Sequence, residues 1–323
     1  MNEAASFVGD RSRFLQRRPE DTVRPRAVRN LAFHGLGGLM LLANKLRHEL
    51  RGYRTPRPFP VTMTAQAASY DIDVVSGWLD ALAAYTDDAV SVEDRVVLEL
   101  GPGPDLGAGL LLLQRGARAY HALDINDLAR GAPHEFYEQL LARLDNCSRP
   151  GREQSWLLHQ LDRTLAGSND RLNYVYDPRF DVRRFAGQNV DLVFSQAAFE
   201  HFDDPDNTIA QLSEVVRPGA ILISEIDLQT HSRWLRDEDP LNIYRFSDSV
   251  YRWLRFLGSP NRTRPREYRE SLVKHGWENV VMLPGTLLED SYLARVLPSL
   301  NSRFRAHGNE MAVLNLVVCA TRA

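Results

Sequence analysis

The sequence predicts an α/β protein built on a doubly wound, mainly parallel seven-stranded sheet, and three observations carry that expectation. Seven short β-rich runs recur between residues 95 and 321. Most are separated by stretches of helical periodicity, the spacing of βαβ units. A glycine-rich turn follows the first run and an acid ends the second, where open α/β sheets bind ligands. The composition fits an ordinary globular chain, at 44% hydrophobic and 25% charged over 323 residues.

The elements follow in order. Residues 8–30 are rich in Arg and Pro and lack apolar periodicity, so they read as a surface arm. From Leu31 to Leu50 the apolar residues Leu36, Leu39, Met40, Ala43, Leu46 and Leu50 recur at helical steps. Asn44, Lys45, Arg47, His48 and Arg51 fall on the opposite side, giving an amphipathic helix. Its uncharged run, Asn30 to Asn44, is about 22 Å long at 1.5 Å per residue, short of a bilayer core of about 30 Å. Pro56, Pro58 and Pro60 mark a linker, and Ala67–Tyr85 reads as a second helix burying Trp78, Leu79 and Leu82. Residues 1–90 are therefore expected to form a basic arm and helical cover, and 91–323 the main domain.

Within that domain Arg95–Leu100, Arg118–Asp124, Leu172–Tyr176, Val190–Ser195 and Ala220–Asp227 are predicted strands. Leu106–Gly116, Asp127–Asp145 and Asn207–Val216 are predicted helices, the last closed by Arg217-Pro218-Gly219. The alternation breaks over residues 228–264, where Tyr244–Leu257 has a helical pattern rich in Trp, Tyr and Arg. It resumes with a helix at Pro265–His275 and a strand at Trp277–Leu283, then a largely helical Thr286–His307 and a final strand at Ala312–Thr321. The two interruptions, 228–264 and 286–310, are expected to be lid inserts.

Charge and cysteine content exclude several classes. The net charge of -3 argues against a chain selected as a whole to bind phosphates. Residues 1–60 nevertheless hold 12 basic and 5 acidic side chains, so a basic arm precedes an acidic body. Arg interspersed with Pro, without an aromatic stacking platform, makes a weak case for nucleic acid. The only cysteines, Cys147 and Cys319, offer neither a disulfide framework nor a CxxC metal site. A cytoplasmic setting is expected, with the arm and first helix, residues 8–52, as a candidate peripheral membrane contact.

The chemistry concentrates at Glu99-Leu100-Gly101-Pro102-Gly103-Pro104-Asp105-Leu106-Gly107. Glycine permits positive φ and close approach of backbone to a ligand. Asp124, ending the next strand, is placed to accept hydrogen bonds from both hydroxyls of a ribose. A dinucleotide site wants G-x-G-x-x-G, whereas here the third glycine comes one residue late and Pro104 removes an amide. Glu99 would oppose a diphosphate and suit a cationic ligand.

These residues resemble the class I S-adenosylmethionine (SAM)-dependent methyltransferases, which have a Rossmann-like fold. The resemblance rests on E-x-G-x-G at Glu99–Gly103, the acid Asp124, the run from Asp191 through Phe194-Ser195-Gln196 to Glu200-His201, and Arg217-Pro218-Gly219 before a strand. It departs at Ala220, where many members carry a second glycine. The resemblance implies SAM as cofactor, with Gly101 and Gly103 against its methionine portion and Glu99 near its amino group. Asp124 would hold the ribose. Asp181, or alternatively Asp177, would meet the adenine, while Ser195 and Gln196 would line the cofactor and substrate mouth.

Methyl transfer from a sulfonium is an in-line displacement, so the protein mainly contributes alignment, and a base is needed only if the acceptor carries a proton. His201 follows the fourth strand and His231 the fifth, with Asp227 placed to orient His231. These three are the expected catalytic residues for a small-molecule or glycan hydroxyl. Glu225, Asp227, His231 and Asp239 are the set that would collect a cation, but nothing in their spacing fixes ligand geometry, so no metal is expected. Trp234, Arg236, Tyr244, Arg245, Tyr251, Trp253 and Arg255 read as a substrate lid, with helix core as the alternative for Tyr244, Tyr251 and Trp253. The rivals are an NAD-dependent oxidoreductase, disfavoured by the glycine spacing and Pro104, and a catalytically inactive SAM-fold binding subunit.

Overall fold

The computed structural model describes residues 21–23, 30–51, 61–143, 153–168 and 170–323. Most of the arm, the linker prolines Pro56, Pro58 and Pro60, and Cys147 lie outside the described residues. Cys319 is buried.

In chain order the elements are β1 (Asp21–Val23), α1 (Asn30–Arg51), α2 (Thr64–Thr86), β2 (Val96–Leu100), α3 (Gly107–Gln114) and β3 (Ala119–Asp124). There follow α4 (His134–Ala142), α5 (Gln154–Leu165), β4 (Leu172–Tyr176), β5 (Val190–Gln196), α6 (Pro205–Val215) and β6 (Val216–Asp227). The rest are α7 (Arg233–Glu238), α8 (Asp248–Leu254), α9 (Pro265–Lys274), β7 (Trp277–Leu288), α10 (Asp290–Val296) and β8 (Val313–Arg322). The strands form one sheet in the order β1-β7-β8-β6-β5-β2-β3-β4. Neighbours pair in parallel except β8, which runs antiparallel to both β6 and β7. Seven strands are those predicted; the eighth, β1, pairs with Thr286–Leu288 at the edge.

Helices cover both faces, which is why β2 reads as a continuous apolar run with one exception, Glu99. Because side chains alternate along a strand, Val97, Tyr120, Ala122 and Phe194 pack under α2 to α5. Leu98, Leu123 and Val193 pack under α6 and α9. Trp78 of α2 stacks on Phe194 of β5 at 5.0 Å, seating the cover helix on the sheet. Asp191 at the start of β5 is fastened by Arg95, Arg118 and Arg217 and accepts the Val96 N–H at 2.7 Å, so the Arg217-Pro218-Gly219 motif secures the strand bases. The order reverses between β2 and β5, and that switch point is where such sheets bind ligands.

A third core joins α1, α8, α10 and the loops around Tyr244 and Phe304. Its buried anchor is Asp239, which accepts from Arg245 Nε at 2.7 Å, Asn242 Nδ2 at 2.8 Å and the Tyr292 hydroxyl at 2.8 Å. Here the sequence expectations need correction. The predicted inward face of α1 is largely its outward one: Leu39 is 66% and Leu50 83% exposed, while Leu41 is buried. The helix docks through polar contacts instead, with Asn44 donating to Ser232, Lys45 to the Trp253 carbonyl, and Asn242 to the Phe33 carbonyl. Tyr244 and Tyr251 are core residues, whereas Trp234 and Trp253 are exposed. The stretch 286–310 is less helical than predicted, because β7 runs on to Leu288 and only Asp290–Val296 is α-helical. Asp127–Asp145 is interrupted by Pro133, leaving α4 from His134. Among the described residues no helix is long and apolar enough to cross a membrane.

Candidate active site

The turn after β2 has the predicted geometry. Gly101 and Gly103 both hold positive φ, 75° and 78°. A Cβ on Gly101 would stand 2.6 Å from the Ala198 Cβ, so this glycine serves a close approach as well as a turn. A Cβ on Gly103 would meet nothing within 4 Å, so this backbone is open to a ligand. The Gly103 N–H donates to Asp124 Oδ2 at 3.1 Å and the Asn126 N–H to Oδ1 at 2.8 Å. Asp124 is thereby aimed across the turn from the end of β3.

Glu99 lies on the face of β2 that α2 covers, where it accepts a 2.5 Å hydrogen bond from Tyr120. It does not stand alone. Asp105, whose Oδ1 accepts the Gly107 N–H at 2.9 Å, and Asp71 from α2 are buried in the same place. The Asp71 Oδ2 lies where a Cβ on Gly107 would sit, 1.9 Å away, so Gly107 is required for α2 to seat. Neither Asp71 nor Asp105 stands out in the sequence as a site residue, because their meeting is a product of the fold. Burial pushes Glu99 up to about 8 despite the Tyr120 hydrogen bond, with Asp105 and Asp124 adding to the rise. Burial likewise lifts Asp124 to about 6 against its backbone hydrogen bonds, and lifts Asp71 well above the ordinary carboxylate range.

A cavity of about 190 Å³ lies between α2 and the carboxyl ends of β5 and β6, lined by Tyr70, Asp73, Trp78, Gln196 and Glu225 among others. Tyr70 stands in the field of Glu225, Asp71, Glu99 and Asp105, so this cavity adjoins the acidic turn. Gln196 lines this cavity. Ser195 differs: it is fully buried and its Oγ donates to the Leu100 carbonyl at 3.0 Å, tying β5 to the turn. Asp177 follows β4 and its N–H donates to the Asp124 carbonyl at 2.9 Å. Its carboxylate takes Arg184 Nε, while Asp181, four residues on, takes Arg183 Nε at 2.8 Å. The arginine hydrogen bonds hold both carboxyls below the ordinary range.

At the ends of β5 and β6 the predicted catalytic residues meet. The His201 and His231 rings are 4.8 Å apart, and His231 Nε2 lies 3.4 Å from Asp227 Oδ2. Asp227 is held by Arg236 and by the Gln229 N–H. Burial acts to raise its carboxyl, but hydrogen bonding and charge from His231 and Arg236 outweigh it and the net shift is downward. His201 is turned by the Gly258 carbonyl, 2.7 Å from Nδ1, and burial drops it to about 4, helped by His231. Glu200, not singled out by the sequence reading, is buried beside them, and burial pushes it well above its ordinary range. The cation set Glu225, Asp227, His231 and Asp239 does not assemble, because Asp239 is consumed by the Arg245 network and Glu225 accepts from Asn315.

A sequence family described as a methyltransferase domain matches residues 160–224, from α5 into β6. Over that stretch the chain is similar to a methyltransferase domain. The match covers Asp177, Asp181, Ser195, Gln196, Glu200 and His201, and the Glu99–Gly103 turn and Asp124 lie before it in the chain. No curated protein sequence matches the chain. Among solved structures it is similar to the carbon methyltransferase CurJ, at 15% identity over 90% of this chain and 68% of that one, TM-score 0.46. It is also similar to a putative sarcosine dimethylglycine methyltransferase from Galdieria sulphuraria, at 13% identity over 88% and 96%, TM-score 0.42. A third is a SAM-dependent methyltransferase from Mesorhizobium loti, at 14% over 77% and 100%, TM-score 0.39. Likeness at that level carries neither activity nor substrate across.

The site fits the cofactor by its chemistry. Glu99, Asp71 and Asp105 are carboxyls whose charged forms an arriving ammonium or sulfonium stabilises and a diphosphate such as that of NAD opposes. Because Glu99 titrates near 8 in the folded chain, cofactor binding should draw its proton off. Affinity for S-adenosylhomocysteine (SAH), the demethylated cofactor, is expected to rise roughly tenfold between about pH 6.5 and 8. In Glu99→Gln that rise should flatten. Calorimetry across pH checks it, and a pH-independent wild-type affinity would contradict the role. The sign for stability is the reverse: a carboxyl raised on folding stabilises the free protein below about 4.5, and that contribution is lost as pH rises through about 8.

Proposed function

We propose that the enzyme transfers the SAM methyl group to a hydroxyl of a small molecule or glycan. The observation that carries this is the Asp227–His231 pair with its 3.4 Å contact, set at the carboxyl ends of the strands beside the cofactor turn. When bound, SAM supplies an activated methyl on a positive sulfur. The chain's part is to hold and orient. Glu99 takes the amino group, Gly101 and Gly103 admit the methionine backbone, Asp124 takes the ribose hydroxyls, and Asp181 or Asp177 meets the adenine. Gln196 borders the acceptor, and Ser195 supports the turn from behind.

His231 takes the acceptor's proton while Asp227 holds its ring and stabilises the imidazolium. His201, turned by Gly258, packs against that ring and shapes the acceptor side. Residues 1–90 act as arm and cover, and 228–264 and 286–310 close the mouth. The outward leucines of α1 together with the basic arm support a cytoplasmic enzyme with peripheral membrane contact through residues 8–52. Incubation with methyl-labelled SAM and a panel of sugar, phenol and alkyl alcohols tests the reading. Labelled ether products support it; label appearing only on carbon or nitrogen acceptors would replace it.

A further inference from the structure

The carboxyl ends of β5 and β6 bring together three ligating side chains, one of which the methyl-transfer reading leaves without a task. Ligand atoms of Glu200, His201 and His231 all lie within 4.8 Å of one another. Glu200 is 2% exposed, and its carboxylate has no hydrogen bond of good geometry, only the weaker approach of the Glu200 and Asp227 backbone N–H groups. A buried polar group left bare is costly, and a buried charge left bare more so. Such a carboxylate is therefore suited to a cation arriving beside it.

The two rings are set up in the same sense. His201 Nδ1 lies 2.7 Å from the Gly258 carbonyl, an acceptor, so that nitrogen carries the proton and the other keeps its lone pair. His231 Nε2 faces the Asp227 carboxylate at 3.4 Å, which frees its second nitrogen in the same way. Asp227 is itself held by Arg236 and the Gln229 N–H. Metal-bound imidazoles are oriented in this manner, by a carbonyl or carboxylate on the nitrogen away from the ion.

We propose that Glu200, with the free nitrogen of His201 and of His231, forms a two-histidine, one-carboxylate site for a divalent first-row transition-metal ion. Two nitrogens and one oxygen suit Zn²⁺, Fe²⁺ or Mn²⁺ better than the all-oxygen preference of Ca²⁺ and Mg²⁺. Two atoms bound to one ion at about 2.1 Å stand no more than about 4.2 Å apart. Ligand atoms up to 4.8 Å apart therefore have to draw closer on binding, which side-chain rotation allows. Three protein ligands leave a position open, as catalytic zinc sites do. The use of that position rests on the methyl-acceptor reading: an acceptor oxygen bound there gives up its proton more readily. With the ion in place His231 is a ligand oriented by Asp227 and the acceptor's proton passes to solvent water; the base role of His231 belongs to the ion-free site.

The test is titration of the chelator-stripped full chain with Co²⁺, followed by its visible d–d absorption, with SAH calorimetry on every variant. One Co²⁺ per chain is expected. Asp227→Asn should weaken it roughly 10- to 100-fold, and Glu200→Gln more than that. Retained SAH binding shows that a variant is folded; should Glu200→Gln lose it, His201→Gln is read in its place. Absence of Co²⁺ binding in the wild type, or affinity unchanged in Glu200→Gln and His201→Gln, overturns the site. Those results leave the methyltransferase reading standing if SAH still binds, whereas failure of the wild type to bind SAH strikes that reading alone.

Discussion

Asp239→Ala is expected to destabilise the protein by about 3–5 kcal/mol, the magnitude seen when one partner of a buried ion pair is removed. Asp239 and Arg245 are both fully buried as side chains. The carboxylate accepts two hydrogen bonds from the guanidinium, one from Asn242 and one from Tyr292. Truncation would leave Arg245 charged in the core with, among the described residues, Ser299 and Asn30 to receive it. The network also seats α1, because Asn242 donates to the Phe33 carbonyl and Arg245 to Asn30. Loss of Asp239 should therefore loosen the third core first, raising amide exchange around residues 239–246 and 290–300. Urea unfolding measures the total. Asp239→Leu with Arg245→Met should recover much of the loss, since apolar replacement of a buried pair is often neutral. A cost below about 1 kcal/mol for the single variant would show that water reaches this pair.

The second large effect is on turnover. His231→Ala is expected to lower kcat about 10²- to 10⁴-fold, the range for a positioned base, with SAH affinity unchanged. Asp227→Asn should fall in the same direction by less, because Arg236 and the Gln229 N–H still hold the loop. The measurement is single-turnover methyl transfer to the acceptor found in the alcohol panel. Full turnover in His231→Ala would reject the base. Loss of SAH binding together with kcat would instead make His231 a support of the cofactor site.

Much of the sheet is legible in the sequence because parallel strands buried on both faces must be apolar throughout, so a lone acid such as Glu99 in Val96–Leu100 is conspicuous. The glycine turn and Asp124 are legible for the same reason: positive φ and a strand-end acid leave few alternatives. The face of α1 is not legible, because apolar periodicity says which side is greasy and not which side finds a partner. Here the partner surface offers Ser232, Asn242 and the Trp253 carbonyl, so Asn44 and Lys45 turn inward and Leu39 and Leu50 outward. α5 is hidden by its polar composition, with Leu157, Gln160, Leu161 and Thr164 its few buried residues. Asp71, Asp105 and Glu200 are illegible for another reason. Each is an ordinary acid until the fold carries it to Glu99 or to His231.

Calorimetric titration of SAH into the full chain and into Asp124→Ala tests the central claim that the turn from Glu99 to Gly103 and the acid ending β3 hold the cofactor. The wild type should bind one SAH per chain. Loss of charge-assisted hydrogen bonds, each worth about 1.5–3 kcal/mol, should weaken Asp124→Ala by about 100-fold or more. No binding to the wild type, or equal binding to both proteins, would contradict it.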